Sequence, residues 1–126
     1  MKVKIERMKD LFDEEYIEEM LNDCSPRCCH YNAANVCILF KDWECIDYVE
    51  GYAHGFVGHA INSYRDAYGN YHYFDPTQEW LIRKGIETRF CDEFDVVKTF
   101  STDEIDEIFN KDGVTHLVCV EIKKLT

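Results

Sequence analysis

Three segments rich in aromatic and β-branched residues follow one another between residues 45 and 75, and this run constrains the fold more than any other feature. Cys45–Ala53, Gly55–Arg65 and Tyr71–Asp75 each have the length and composition of a β-strand. The loop Asp66-Ala67-Tyr68-Gly69-Asn70 joins the second to the third. Connections this short join antiparallel neighbours, so residues 45–75 predict an antiparallel sheet. A further strand is expected over Trp80–Lys84 and another over Glu93–Phe100. Thr115–Ile122 reads as a closing strand, with apolar residues on both faces, as in the middle of a sheet.

Helical patterns flank the sheet. In residues 10–22, Leu11, Phe12, Tyr16, Ile17, Met20 and Leu21 share one stripe, with Asp10 as the expected N-cap. Ser25-Pro26 reads as an N-cap followed by proline at the first helical position. That helix is expected to run through Cys28, Cys29, Asn32, Ala33, Val36 and Cys37 to about Lys41. Ser101-Thr102-Asp103-Glu104 is a capping box before Ile105, Ile108 and Phe109, with Gly113 as the stop. The expected fold class is α+β, with N-terminal helices, one carrying the cysteines, packed on an antiparallel sheet and one late helix. With 126 residues and no composition break, residues 1–126 are expected to form a single domain.

Charge and cysteine content narrow the function. Fourteen basic residues against 25 acidic ones give a net charge of −11, which opposes direct nucleic-acid binding. No apolar run reaches the ~20 residues that span a bilayer, and the N-terminus has no apolar signal segment, so a membrane is not expected as a partner. The seven cysteines are an odd number without a secretion signal. They do not read as a disulfide framework, and a reducing cytoplasm is the expected location.

Chemistry concentrates on Cys29, His59 and Asp75. A cysteine attacks acyl carbons as thiolate, and a helix start supplies unpaired N–H groups that favour a negative sulfur and an oxyanion. A histidine held by a third polar group completes such a site. The 55–77 hairpin decides whether it is supplied. If the loop is Asp66–Asn70, Arg65 faces Tyr71, and His59 and Asp75 are diagonal neighbours on one face. If Gly69-Asn70 makes a two-residue turn, the parity changes and the two side chains part. Cys28, beside Cys29, is the other candidate nucleophile. Asn32, Glu50 and Tyr52 are candidate neighbours of the site.

The order Cys29-His30-Tyr31-Asn32-Ala33, Tyr48-Val49-Glu50-Gly51-Tyr52-Ala53, Gly58-His59-Ala60-Ile61-Asn62, Gly69-Asn70-Tyr71 and Phe74-Asp75-Pro76-Thr77 resembles the transglutaminase-like branch of the papain-like cysteine fold. It is similar also to small bacterial and phage proteins of that type. The resemblance covers about residues 28–80. Ile61 stands where that branch usually has tryptophan. The resemblance implies a papain/transglutaminase-like core, with Cys29 as nucleophile, His59 as general base and Asp75 as orienting carboxylate. It implies amide or thioester hydrolysis or acyl transfer on a protein or small-molecule acyl substrate, with no cofactor and no metal.

Two other classes fit parts of the sequence. A non-catalytic acidic interaction protein, such as a phage-type inhibitor or nucleic-acid mimic, uses the charge alone. A zinc-binding module uses Cys24, Cys28, Cys29 and His30, but the downstream half of a ligand set is missing from the spacing.

Overall fold

The computed structural model describes residues 1–113 and 116–118. The chain begins with β1 (Lys2–Lys4), followed by a 3₁₀ turn (Met8–Asp10) and helix α1 (Glu14–Leu21). Helix α2 (Cys29–Leu39) leads into β2 (Ile46–Ala53), β3 (Val57–Arg65) and β4 (Tyr71–Phe74). Helix α3 (Pro76–Arg83), β5 (Glu93–Phe100) and helix α4 (Thr102–Asp106) complete the order, and a π-helical turn (Glu107–Lys111) extends α4. The architecture is α+β.

The sheet has five strands in the order β1-β5-β2-β3-β4, all paired antiparallel. Its two edges come together where Ile5 bridges Tyr73 and the Glu6 N–H donates to the Tyr73 carbonyl at 2.8 Å. The sheet therefore curls until it is nearly closed, and each of its faces buries a core. Inside the curl lie Ile5, Val49, Ile61 and Phe94. The outer face carries Tyr48, Ala60 and Phe74 against Ala33, Val36 and Cys37 of α2 and Ile17 and Met20 of α1.

The β3–β4 register pairs Arg65 with Tyr71 and Asn62 with Phe74, so the loop is Asp66–Asn70. The Asp66 carboxylate accepts the N–H of Tyr68 and of Asn70, each at 2.9 Å, which closes the longer loop without a two-residue turn. Gly51 lies opposite His59, where the β2–β5 pairing slips by a residue. A Cβ at Gly51 would sit 2.0 Å from the Asp95 carbonyl oxygen, so only glycine lets β5 approach there.

Three local expectations are corrected. Trp80–Lys84 is not a strand. It belongs to α3, which Asp75 caps by accepting the Gln78 N–H and which Pro76 opens at the first helical position. The cysteine-bearing helix does not start at Ser25-Pro26. Arg27 takes a left-handed φ of 62°, which interrupts any helix there, and α2 begins at Cys29. The N-terminal helix starts after Asp13, not Asp10, which sits in the preceding 3₁₀ turn. The sequence analysis names no element at Lys2–Lys4, where β1 pairs with the distant Glu93–Asp95 segment of β5. The capping box at Ser101 is present in both directions. The strand expected over Thr115–Ile122 lies, apart from residues 116–118, outside the described residues. Among the described residues, no helix is long and apolar enough to cross a membrane.

Candidate functional site

The hairpin register brings His59 and Asp75 to the same side of the sheet. His59 Nε2 lies 2.7 Å from Asp75 Oδ2. Asp75 is only 3% exposed, so this contact is made largely out of water, where a charged hydrogen bond is strong. The other carboxylate oxygen, Oδ1, accepts the Gln78 N–H at 3.1 Å. Asp75 thus caps α3 and orients the imidazole at once, and the cap fixes the carboxylate's direction. The Phe94 ring meets the His59 ring edge-on, with centroids 6.3 Å apart, and limits its rotation.

Cys29 is the first residue of α2, and its side chain lies close enough to the His59 ring to act on its charge. With Nε2 taken by Asp75, Nδ1 is the ring nitrogen left for the sulfur. The first N–H groups of α2 have no partner within the helix, and Cys29 belongs to that first turn, at the positive end of the helix dipole. Burial disfavours the imidazolium. The Asp75 charge beside it, the hydrogen bond to Asp75 and the nearby Cys29 outweigh that cost and hold its pKa well above the ordinary value. An imidazole held toward its charged form near a thiol is the pairing that general-base activation of a cysteine uses.

A second layer ties the helices together. Asn32 is 1% exposed and lies one turn along α2 from Cys29. Its amide donates to Thr77 Oγ1 at 2.8 Å and to the Ser25 carbonyl at 2.8 Å, and its oxygen accepts the Ser25 N–H at 3.0 Å. Thr77 follows Asp75 by two residues. One side chain thus clamps the helix bearing the nucleophile to the helix capped by the orienting carboxylate. Asn32 was expected near the site. Thr77 was not singled out, although it belongs to the same Asp-Pro-Thr run.

The remaining candidates take other places. Cys28 is the N-cap residue of α2, just outside its first turn. Glu50 is buried on β2 opposite Ala60, one residue out of phase with His59. It accepts the Tyr48 hydroxyl and, at 2.7 and 2.9 Å, the Val118 N–H. These contacts tie the sheet to the 116–118 segment and lie outside the Cys29–His59–Asp75 group. Tyr52 pairs with Gly58 on one side and Asp95 on the other.

No protein-family model, curated protein or solved structure matches this chain. The chemical reading therefore rests on the site's own geometry. The six described cysteines are free thiols. Burial pushes Cys24 and Cys37 up to about 12, which leaves both inert as nucleophiles near neutral pH. Among the described residues, no three His, Cys, Asp or Glu side chains are grouped so as to hold a metal ion.

Proposed function

We propose that this chain is a cysteine enzyme with a papain/transglutaminase-like core, acting on acyl carbons through Cys29, His59 and Asp75. The observation that carries the reading is the 2.7 Å contact between His59 and a 3%-exposed Asp75, with a helix-start cysteine near the ring. A structural histidine needs one or two polar partners. It does not need a thiol set at the start of a helix.

In this reading His59 holds the thiol proton. The Cys29 sulfur attacks the carbonyl carbon of an amide or thioester, forming a C–S bond while the carbonyl electrons move to oxygen. The N–H groups at the start of α2 stabilise that oxyanion. As the carbonyl re-forms, the bond to the leaving nitrogen or sulfur breaks, and His59 gives that atom its proton. Water or an amine then attacks the thioester, passes a proton to His59 and expels the Cys29 sulfur. Asp75 keeps the ring in one orientation and stabilises its charge throughout. Hydrolysis and transfer differ only in the final nucleophile.

The test is iodoacetamide labelling from pH 4 to 9, read by peptide mass spectrometry, on wild type and His59→Ala. Rapid labelling of Cys29 below neutral pH, lost in the variant, is the expected result. Cys24 and Cys37 serve as internal standards for an unactivated buried thiol. Cys29 labelling no faster than that of Cys28 or Cys45, and unchanged in the variant, overturns the reading. It would direct attention to the acidic surface and its protein partners.

A further inference from the structure

A groove of about 340 Å³ opens where the start of α1 meets the end of β3, and four aromatic rings line it: Phe12, Tyr16, Trp43 and Tyr64. Tyr64 follows His59 by five residues on β3, so it stands about 17 Å away and on the opposite face of the sheet. The groove is therefore separate from the Cys29–His59–Asp75 group. Its rings meet at steep angles. Phe12 and Tyr64 lie 5.0 Å apart at 60°, and Tyr16 and Trp43 lie 5.1 Å apart at 81°. Rings set this way wall a space from several directions instead of closing into a stack. Phe12 is anchored on the buried Phe74, with centroids 5.0 Å apart, and Trp43 on the buried Phe40, with centroids 4.6 Å apart. Trp43 is nonetheless 37% exposed, so the core holds this ring in place without covering it.

The charge around the rings is acidic. Asp10 and Asp13 line the groove against the single ammonium of Lys9, and both acids are exposed. Asp13 stands at the N-cap position of α1, yet its side chain makes no capping hydrogen bond. Arg7, whose charge Asp10 feels, is already held by Glu79 at 2.8 Å. Glu15, Glu18 and Glu19 are exposed along α1, and Glu19 follows Tyr16 at the i+3 spacing that puts two helical side chains side by side. The net charge of −11 draws cations toward the chain as a whole. Cations settle on the faces of aromatic rings. Among side-chain cations, a guanidinium both lies flat on a ring and donates from its edge to carboxylates.

We infer that this groove binds an arginine side chain in a basic segment of a protein partner, its guanidinium plane against the aromatic rings and its N–H edge toward Asp10 and Asp13. Rings that are already packed in place need little ordering when the ligand arrives, which favours binding. The exposed acids along α1 meet further basic residues of the segment, so the partner is a basic stretch of chain and not an isolated cation. The inference does not rest on the chemistry proposed at Cys29.

The experiment titrates the full chain with the peptide acetyl-Gly-Arg-Gly-Arg-Arg-Gly-amide, and with matched peptides in which citrulline or lysine replaces every arginine. Two-dimensional ¹H–¹⁵N NMR reads the two indole N–H signals, with Trp80 on α3 as the internal reference for Trp43. The Trp43 signal is expected to move to saturation with the arginine peptide while the Trp80 signal stays in place. Citrulline keeps the planar group and loses the charge, so that peptide should bind about tenfold more weakly. The lysine peptide should also bind less tightly than the arginine peptide. Tyr16→Leu should weaken the arginine peptide about tenfold and Asp13→Asn about threefold. Asp13 is exposed, so its variant keeps the test decisive if Tyr16→Leu fails to fold. Equal binding of the arginine and citrulline peptides, or of the arginine and lysine peptides, overturns the inference. Binding that both substitutions leave unchanged, or that moves Trp80 as much as Trp43, belongs to the acidic surface at large and also overturns it. An arginine peptide that fails to saturate the Trp43 shift by about 1 mM overturns it outright. Thiol labelling of Cys29 is a separate readout, so none of these outcomes decides the catalytic reading.

Discussion

His59 and His72 lie on adjacent strands, and each is held by carboxylate, yet the two rings are built for different work. His72 has an acid on both nitrogens: Glu6 lies 2.7 Å from Nδ1 and Asp66 lies 2.8 Å from Nε2. The hydrogen bond to Asp66 comes first among the causes that raise its pKa, above the opposing effect of burial. His72 is a bridge between the start of the chain and the β3–β4 loop. Neither nitrogen is left to take a proton from a substrate. His59 has acid on Nε2 only, and the Cys29 thiol lies near the ring. A carboxylate on one nitrogen makes a charged, oriented ring. What occupies the second nitrogen decides whether that ring locks a loop or transfers a proton.

The largest expected effect separates the two rings directly. His59→Ala should slow Cys29 alkylation at pH 6 by about 10²-fold or more, the scale of general-base loss. His72→Ala should leave it within about twofold. The comparison of the two rates at one pH is the measurement, and an equal loss in both variants would break the distinction.

Asp75→Asn is next. Asn caps helices about as well as Asp, so α3 should persist. The orienting charge is gone, and His59 loses the partner that raises its pKa. Alkylation of Cys29 at pH 6 should fall about tenfold to a hundredfold, with the pH profile moved upward. An unchanged profile would mean that Asp75 serves α3 alone.

Thr77→Val should have a smaller effect, on two readouts. The buried Asn32 amide loses one acceptor, at a cost of about 1 kcal/mol, or roughly 4 °C in the melting midpoint. If Asn32 and Thr77 also set the Cys29–His59 spacing, the pH profile of alkylation shifts as well, and Thr77→Ser restores both. A midpoint change with an unmoved profile would reduce the clamp to a packing role.

How far the sequence discloses this site depends on how local each device is. The His59–Asp75 contact follows from loop length and strand parity within the 55–77 segment, so counting residues finds it. The Asp75-Pro76 pair also announces a helix. The aromatic and branched residues Trp80, Leu81 and Ile82 suggest a strand instead, and the cap overrides that propensity because Pro76 and the Gln78 N–H fix the first turn. Other features are nonlocal. The Asn32–Thr77 bond joins residues 45 apart, and β1 pairs with a strand about 90 residues away. No periodicity encodes such partners. The start of α2 turns on one left-handed backbone at Arg27, a residue type with no preference for it. The Gly51 requirement appears only once β5 is laid against β2, because its cause is the Asp95 carbonyl and not a turn.

The smallest effect returns to His72, where the sign of the pH dependence is fixed by both partners. A histidine whose pKa rises on folding stabilises the fold fully below its ordinary value near 6.5, and that contribution is lost as pH climbs through the raised value. Asp66 moves the other way. Hydrogen bonding to His72 leads the causes that hold it below 3.8, so its share is present above that value and lost in acid. The bridge is therefore strongest between the carboxylate range and the raised histidine value, and it weakens on both sides. Both groups are partly exposed to solvent, which screens the interaction and keeps the amplitude small. His72→Gln should lower the melting midpoint most near pH 6 and least near pH 9, while the alkylation rate of Cys29 is unaffected at either. A midpoint difference that does not change between those two pH values would show that the ring braces the loop as a neutral hydrogen-bonding group. The contrast with His59 would then rest on charge as well as on the neighbour at the second nitrogen.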